Sequence, residues 1–189
     1  MYGADRSRLE VQADELISKL IPYIKEFIFS FDDDNFAAII GKRLKSSNKT
    51  LAVAESCTGG YISHSITQNA GSSAYFVGGI ISYSNNVKTY QLNIPESLII
   101  EHGAVSEQVV RLMAENVRKI LGSDYSIATS GIAGPDGGTP QKRVGTVWIA
   151  VCSSSGTHAE CFQFGNDRLR VIQRSAISAF NMLRKIIDS

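Results

Sequence analysis

Ala52-Val53-Ala54-Glu55-Ser56-Cys57-Thr58-Gly59-Gly60 decides the fold of this 189-residue chain. Leu51 to Ala54 is an apolar run that reads as a buried strand, and it breaks into a polar, glycine-containing turn. Directly behind the turn, Tyr61, Ile62, Ser65 and Ile66 fall on one face of a helix. A strand-to-helix corner of this kind gathers reactive groups on a rigid support. It carries a carboxylate, two hydroxyls and a thiol, and Ser56 is read as a nucleophile.

Outward from this corner, strands and helices alternate. Upstream, Leu9, Ala13, Leu16, Ile17, Leu20 and Ile24 have helical spacing, with Pro22 expected to kink or end that helix. Phe27-Ile28-Phe29 could form a short strand, and Asp32-Asp33-Asp34 marks an acidic break and a helix start. Phe36, Ile39, Ile40 and Leu44 form the next helical stripe. Downstream, Val77 to Tyr83 reads as a strand, followed by a short helix carrying Lys88 for which Ser84, Asn85 and Asn86 offer caps. Pro95 opens a second short helix that Gly103 closes, and Ser106 caps a longer one ending at Gly122. Asp124 to Ser130 reads as a third strand, and Val144 to Cys152 with Thr157 to Phe164 as a hairpin. A last helix starts near Asp167. The pattern predicts a three-layer α/β/α domain with a mixed sheet of about five strands and an N-terminal helical extension.

Composition narrows the function classes. Nineteen Lys and Arg nearly balance 18 Asp and Glu, so no general attraction to nucleic acid or to an anionic membrane is built in, and any anion must be recognised locally. No apolar run approaches the roughly 20 residues of a membrane-spanning helix. Three cysteines without metal-ligand spacing fit a reducing compartment, and a cytoplasmic location is expected. No metal site is read from the sequence; the acidic triplet suits a helix N-terminus.

A serine hydroxyl needs a base and donors for the developing oxyanion. Amides in the first turn of the helix beginning near Thr58 are candidate donors. His64, His102 and His158 have no partner motif, whereas Lys88 follows a strand that could share a sheet rim with Ser56. Burial and a place in the first turns of a helix would both lower its pKa. Tyr83, at the same strand end, could relay or donate a proton, while Glu55 and Thr58 read as turn and cap residues rather than catalysts. A lysine after a strand also serves as a solvated surface residue, and both readings stay open at this point. In Ser130-Gly131-Ile132-Ala133-Gly134-Pro135-Asp136-Gly137-Gly138, glycine density fits either a phosphate cradle or a tight turn. Arg168, opening the last helix, is a candidate phosphate clamp.

Five ordered blocks then carry a resemblance: Ala54 to Gly60, Ser82-Tyr83-Ser84-Asn85 with Lys88, Gly103-Ala104-Val105-Ser106, Ser130 to Gly138, and Val144-Gly145-Thr146-Val147-Trp148. Together they resemble the C-terminal domain of CinA, the competence/damage-inducible protein, a family that includes nicotinamide mononucleotide deamidases. The resemblance implies hydrolysis of nicotinamide mononucleotide to nicotinic acid mononucleotide and ammonia, without metal or organic cofactor. It assigns Ser56 as nucleophile, Lys88 as base and Tyr83 as supporting catalytic residue. Glu55, Thr58, Gly59, Ser130, Gly131, Ala133, Gly134, Gly137, Gly138 and Arg168 become substrate contacts, and a homo-oligomer is expected. Many relatives carry an arginine where this chain has Ile172, with Arg170 or Arg174 available to compensate. Residues 1–32 would be an extension or the remnant of a connecting region, and 33–189 the CinA C-terminal-like amidohydrolase domain. A nucleotide-binding or interaction module linked to competence or DNA damage, and an amidase of another small amide, are the alternatives.

Overall fold

A computed structural model describes residues 6–24 and 35–189 of the chain. It divides into two compact units, Met1–Asp34 and Asn35–Ser189. In the first, α1 (Arg6–Ile24) runs through Pro22 without ending there. Its side chains Leu16, Ile17 and Leu20 are exposed within their own unit. The expected strand at Phe27-Ile28-Phe29 and the acidic break at Asp32-Asp33-Asp34 lie outside the described residues.

The second unit is a three-layer α/β/α sandwich. In chain order it contains α2 (Phe36–Ser46), β1 (Leu51–Glu55), α3 (Tyr61–Thr67), a 3-10 turn at Ser72–Ala74, β2 (Phe76–Ile81), α4 (Asn85–Leu92), α5 (Glu96–His102), α6 (Glu107–Leu121), β3 (Tyr125–Gly131), β4 (Thr146–Ser153), β5 (Gly156–Gln163) and α7 (Arg168–Ile187). Strand order is β2-β1-β3-β4-β5; β1 pairs parallel with β2 and β3, and β3-β4-β5 are antiparallel. The sheet is mixed because Ser153 to Gly156 closes a tight hairpin, whereas the earlier strands are linked through helices.

β1 is buried along its whole length, as its unbroken apolar run requires. Leu51 and Val53 pack with Ile40, Ile62, Ile66 and Phe180 beneath α2, α3 and α7. Ala52 and Ala54 face the other way, and their small size fits the close seat of Val109, Val110, Met113 and Val117 on α6. Each of these larger side chains contributes about 1.5–3 kcal/mol on burial. The edge strands β2 and β5 instead alternate between covered and open positions.

Helix starts follow local chemistry. The side chain of Asn35 accepts from the Ala38 amide, so the cap of α2 lies at this residue, just after the acidic triplet. Ser84 and Ser106 cap α4 and α6 in the same way. The functional consequence lies in the connections. From β1 the chain passes over one face through α3 to reach β2, then over the opposite face through α4, α5 and α6 to reach β3 on the other side of β1. A crevice therefore opens at the C-terminal ends of these three strands, where doubly wound sheets bind ligands. Among the described residues, no helix is long and apolar enough to cross a membrane.

Candidate active site

The crevice takes one segment from each strand end. β1 supplies Ser56, the chain after β2 supplies Ser82 and Tyr83, and β3 supplies Ser130 and Gly131. Ser56 is tied to β3 by its amide, which donates to the Thr129 carbonyl at 3.0 Å.

The serine turn is held from below by Glu55, which is 1% exposed. One carboxylate oxygen accepts from the amides of Gly60 and Ile62, both at 3.0 Å, and the other from the Ser63 amide at 2.8 Å and the Ser63 hydroxyl at 2.7 Å. Negative charge at a helix N-terminus is favourable, and here it caps α3 from within the domain. Two sequence expectations change as a result. Glu55 does not line the crevice, and the helix amides expected to form an anion hole are occupied by its carboxylate. The Gly59 amide is engaged as well, with the Ser56 carbonyl. Among the described residues, the amides of Cys57 and Thr58 are left without a carbonyl partner.

Lys88 projects into the crevice from the second turn of α4. Its Nζ lies 3.1 Å from Ser56 Oγ and donates to the Ser82 carbonyl at 2.7 Å, with the Tyr83 carbonyl farther off at 3.5 Å. The residue is only 1% exposed, and burial pushes the amine below its ordinary pKa of 10.5. Burial also pushes the Cys57 thiol up to about 12, so it stays protonated and unreactive at neutral pH. The three histidines lie outside this crevice: His64 pairs with Gln68, His102 lies near Glu101 and His158 pairs with Glu160.

Around the Ser56–Lys88 pair the crevice encloses about 230 Å³, lined also by Cys57, Tyr83, Asn85, Ala104, Val105, Ser130, Gly131, Ala133 and Arg168. Arg168 crosses its rim, donating to the Gly134 carbonyl at 2.8 Å and to the Tyr83 hydroxyl at 3.2 Å. Lys142 fastens the glycine-rich loop to the end of α5 through the His102 carbonyl at 2.8 Å. Sequence-predicted site residues therefore separate into groups. Ser56, Lys88, Tyr83, Ser130, Gly131, Ala133 and Arg168 converge, and Gly134 touches the site through its carbonyl. Gly137 and Gly138 are exposed and outside the lining. The Thr58 hydroxyl bonds that of Thr129 at 2.8 Å, and Thr58 and Gly59 line a neighbouring groove with Leu169, Ile172 and Gln173. Ile172 thus stands outside the crevice, and Arg170 and Arg174, both exposed, do not line it either.

Asn85, expected only as a helix cap, lines the crevice as well, and so do Ala104 and Val105, which carry no expected role in the site. Their signal was their place in the ordered blocks, since Asn85 precedes Lys88 by one helical turn. Among the described residues, no group of three His, Cys, Asp or Glu side chains could hold a metal ion.

Comparison with known proteins agrees with this architecture. CinA-like proteins of Cytophaga hutchinsonii and Citrifermentans bemidjiense are 40% and 44% identical to this chain over 97% and 98% of its length. The chain spans 44% of the length of each of these relatives. The crystal structure of the competence damage-inducible protein A (ComA) from Klebsiella pneumoniae superposes with a TM-score of 0.77 at 30% identity, covering 79% of this chain and 93% of that one. The competence/damage inducible protein CihA from Agrobacterium tumefaciens gives 0.77 at 28% identity, covering 82% and 98%. Residues 33–187 match the family model of the CinA C-terminal domain, and with relatives of this similarity the chain belongs to that family.

Proposed function

We propose that this domain is an amidohydrolase that converts nicotinamide mononucleotide to nicotinic acid mononucleotide and ammonia through an acyl-enzyme on Ser56. The observation that carries the reading is a buried amine, Lys88 Nζ, 3.1 Å from the Ser56 hydroxyl. A neutral amine offers two N–H donors and one lone pair. With the Ser82 carbonyl, and at longer range that of Tyr83, on its donor side, the lone pair is left for the Ser56 proton.

Lys88 takes that proton as Ser56 Oγ bonds to the carboxamide carbon. In this reading the oxyanion is met by the Cys57 amide, which has no carbonyl partner and belongs to a residue lining the crevice. The Lys88 ammonium, stabilised by the same carbonyls, hands its proton to the departing nitrogen; the C–N bond breaks and ammonia leaves. Water then attacks the ester, its proton passing to Lys88 and on to Ser56 Oγ as the acid is released. The cationic pyridinium makes the carboxamide carbon more electrophilic. Arg168 keeps donors beyond those given to Gly134 and Tyr83, and in this reading they meet the phosphate.

The test is ammonia release from nicotinamide mononucleotide. Release by the native chain and its loss in Ser56→Ala are expected, while a silent native chain or an undiminished variant overturns the assignment. Mononucleotide binding without turnover would point to a binding module, and Ser56-dependent hydrolysis of a different small amide to another substrate.

A further inference from the structure

Nearly every polar side chain lining the crevice has a partner within the protein. Ser56 and Lys88 bond each other, Ser130 donates to the Ala104 carbonyl at 2.7 Å, and the Tyr83 hydroxyl accepts from Arg168. Asn85 is different. Among the described residues, its side-chain amide makes no hydrogen bond, although it lines the crevice beside Ser56 and Lys88. It is also unnecessary to the helix it begins, because Ser84 caps α4 through the Val87 amide. Asparagine is a weak helix former, so at this position it contributes nothing evident to folding. Residues three apart share a helix face, which puts Asn85 on the side of α4 that carries Lys88, one turn nearer the helix start.

A carboxamide entering this crevice has two unlike ends. Rotation about the bond to its ring exchanges oxygen and NH2, and only one orientation presents the oxygen to the Cys57 amide. An acceptor for the NH2 group would fix the choice. We infer that Asn85 is this specificity-determining residue: its side-chain oxygen accepts from the substrate NH2, orients the carboxamide for attack by Ser56, and favours amides over esters. Hydrogen bonding to a group that a competitor lacks is the strongest form of discrimination open to a small site. This inference rests on the amidohydrolase reading.

The experiment compares kcat/KM on nicotinamide mononucleotide and on the methyl ester of nicotinic acid mononucleotide, which has no N–H at its reacting group. Asn85→Ala is expected to lose about tenfold on the amide and less than about threefold on the ester, the scale of one lost hydrogen bond. Asn85→Asp retains an acceptor oxygen and is expected to restore the native amide-to-ester ratio, a ratio insensitive to any common change in Lys88 basicity. Asn85 is exposed, and unchanged circular dichroism and melting would exclude misfolding. A native chain active on both substrates, with the ratio unaltered in Asn85→Ala, overturns the role of Asn85 alone. Parallel loss on amide and ester, or an Asp variant as unselective as the Ala variant, does the same. A native chain inactive on both overturns the amidohydrolase reading, and this inference with it.

Discussion

The turns after β1 and β3 are both rich in glycine, both leave a buried strand and both border the same crevice, but they are built differently. The Ser56 turn is organised by a buried charge: Glu55 receives four hydrogen bonds from the first turn of α3, and Ser56 is placed above it. The glycine-rich loop is organised by close approach. A Cβ on Gly134 would come within 2.5 Å of Val144 Cγ1, and one on Gly138 within 2.9 Å of the Val144 amide. Its glycines meet protein more than open space. Where a phosphate cradle turns amides toward its ligand, this loop turns the Gly134 carbonyl to Arg168. The difference is that glycine density reports how tightly backbone segments pack, whereas a polar turn around a buried charge reports where chemistry is positioned.

The comparison breaks first at the serine turn. Ser56→Ala is expected to lower kcat on nicotinamide mononucleotide by roughly 10⁴–10⁶-fold, leaving only binding and polarisation. Lys88→Met follows, with a loss of roughly 10²–10⁴-fold, the range of a positioned general base. Stability should move the other way. Lys88 titrates below 10.5 in the folded state, so between its folded and unfolded pKa values the unfolded chain binds more protons, and native stability rises with pH across that window. Below the folded pKa, the native state must hold a buried cation. Lys88→Met removes both the penalty and the slope, and at neutral pH it should stabilise the domain by about 0.5–2 kcal/mol, read by thermal unfolding. On the proposed mechanism, kcat/KM of the native chain should fall as pH drops through the Lys88 pKa, because only the neutral amine accepts the serine proton.

A subtler change sharpens the contrast. Glu55→Gln keeps shape and volume but sets an NH2 group against part of a cluster of four donors. A loss of about 1–3 kcal/mol in stability is expected from donors left unsatisfied. A fall in kcat of roughly 10–100-fold should accompany it, because the turn that places Ser56 shifts. Equal melting temperatures with unchanged turnover would mean that the carboxylate does not organise the turn.

The layers were legible in the sequence because burial leaves a pattern. The unbroken apolar run at Leu51 to Ala54 and the helical stripe from Val109 to Val117 each belong to one core face, and Ser84, Ser106, Gly103 and Gly122 mark helix ends by local stereochemistry. The strand-to-helix corner placed Ser56, and the strand before Lys88 placed it on the same rim. What sequence did not disclose was direction. Its place in the turn marks Glu55 as a cap residue and the resemblance marks it as a substrate contact, and which of the two it serves depends on the donors within reach after folding. The uncommitted Asn85 was hidden for the same reason, since only the folded bonding pattern shows which polar groups are already satisfied. The glycine-rich loop was ambiguous because glycine serves a close ligand and a close neighbour equally well.

The loop itself is where the expected effects fall on stability and least on chemistry. Gly134 has φ +85° and its Cβ position overlaps Val144, so Gly134→Ala combines left-handed strain with overpacking, about 2–4 kcal/mol in thermal unfolding. Gly137 has φ +89°, but the nearest atom to its Cβ position, Ile132 Cγ2, is at an ordinary 3.6 Å. Only the backbone term remains, and Gly137→Ala should lower stability by about 1 kcal/mol. Because Gly137 is exposed and stands apart from the crevice lining, KM for nicotinamide mononucleotide should not change. This substitution therefore separates the two kinds of turn most finely. A raised KM with unchanged stability would mean that the outer glycines close on the phosphate when substrate is bound, and the loop would then serve as a ligand cradle as well as a packing device.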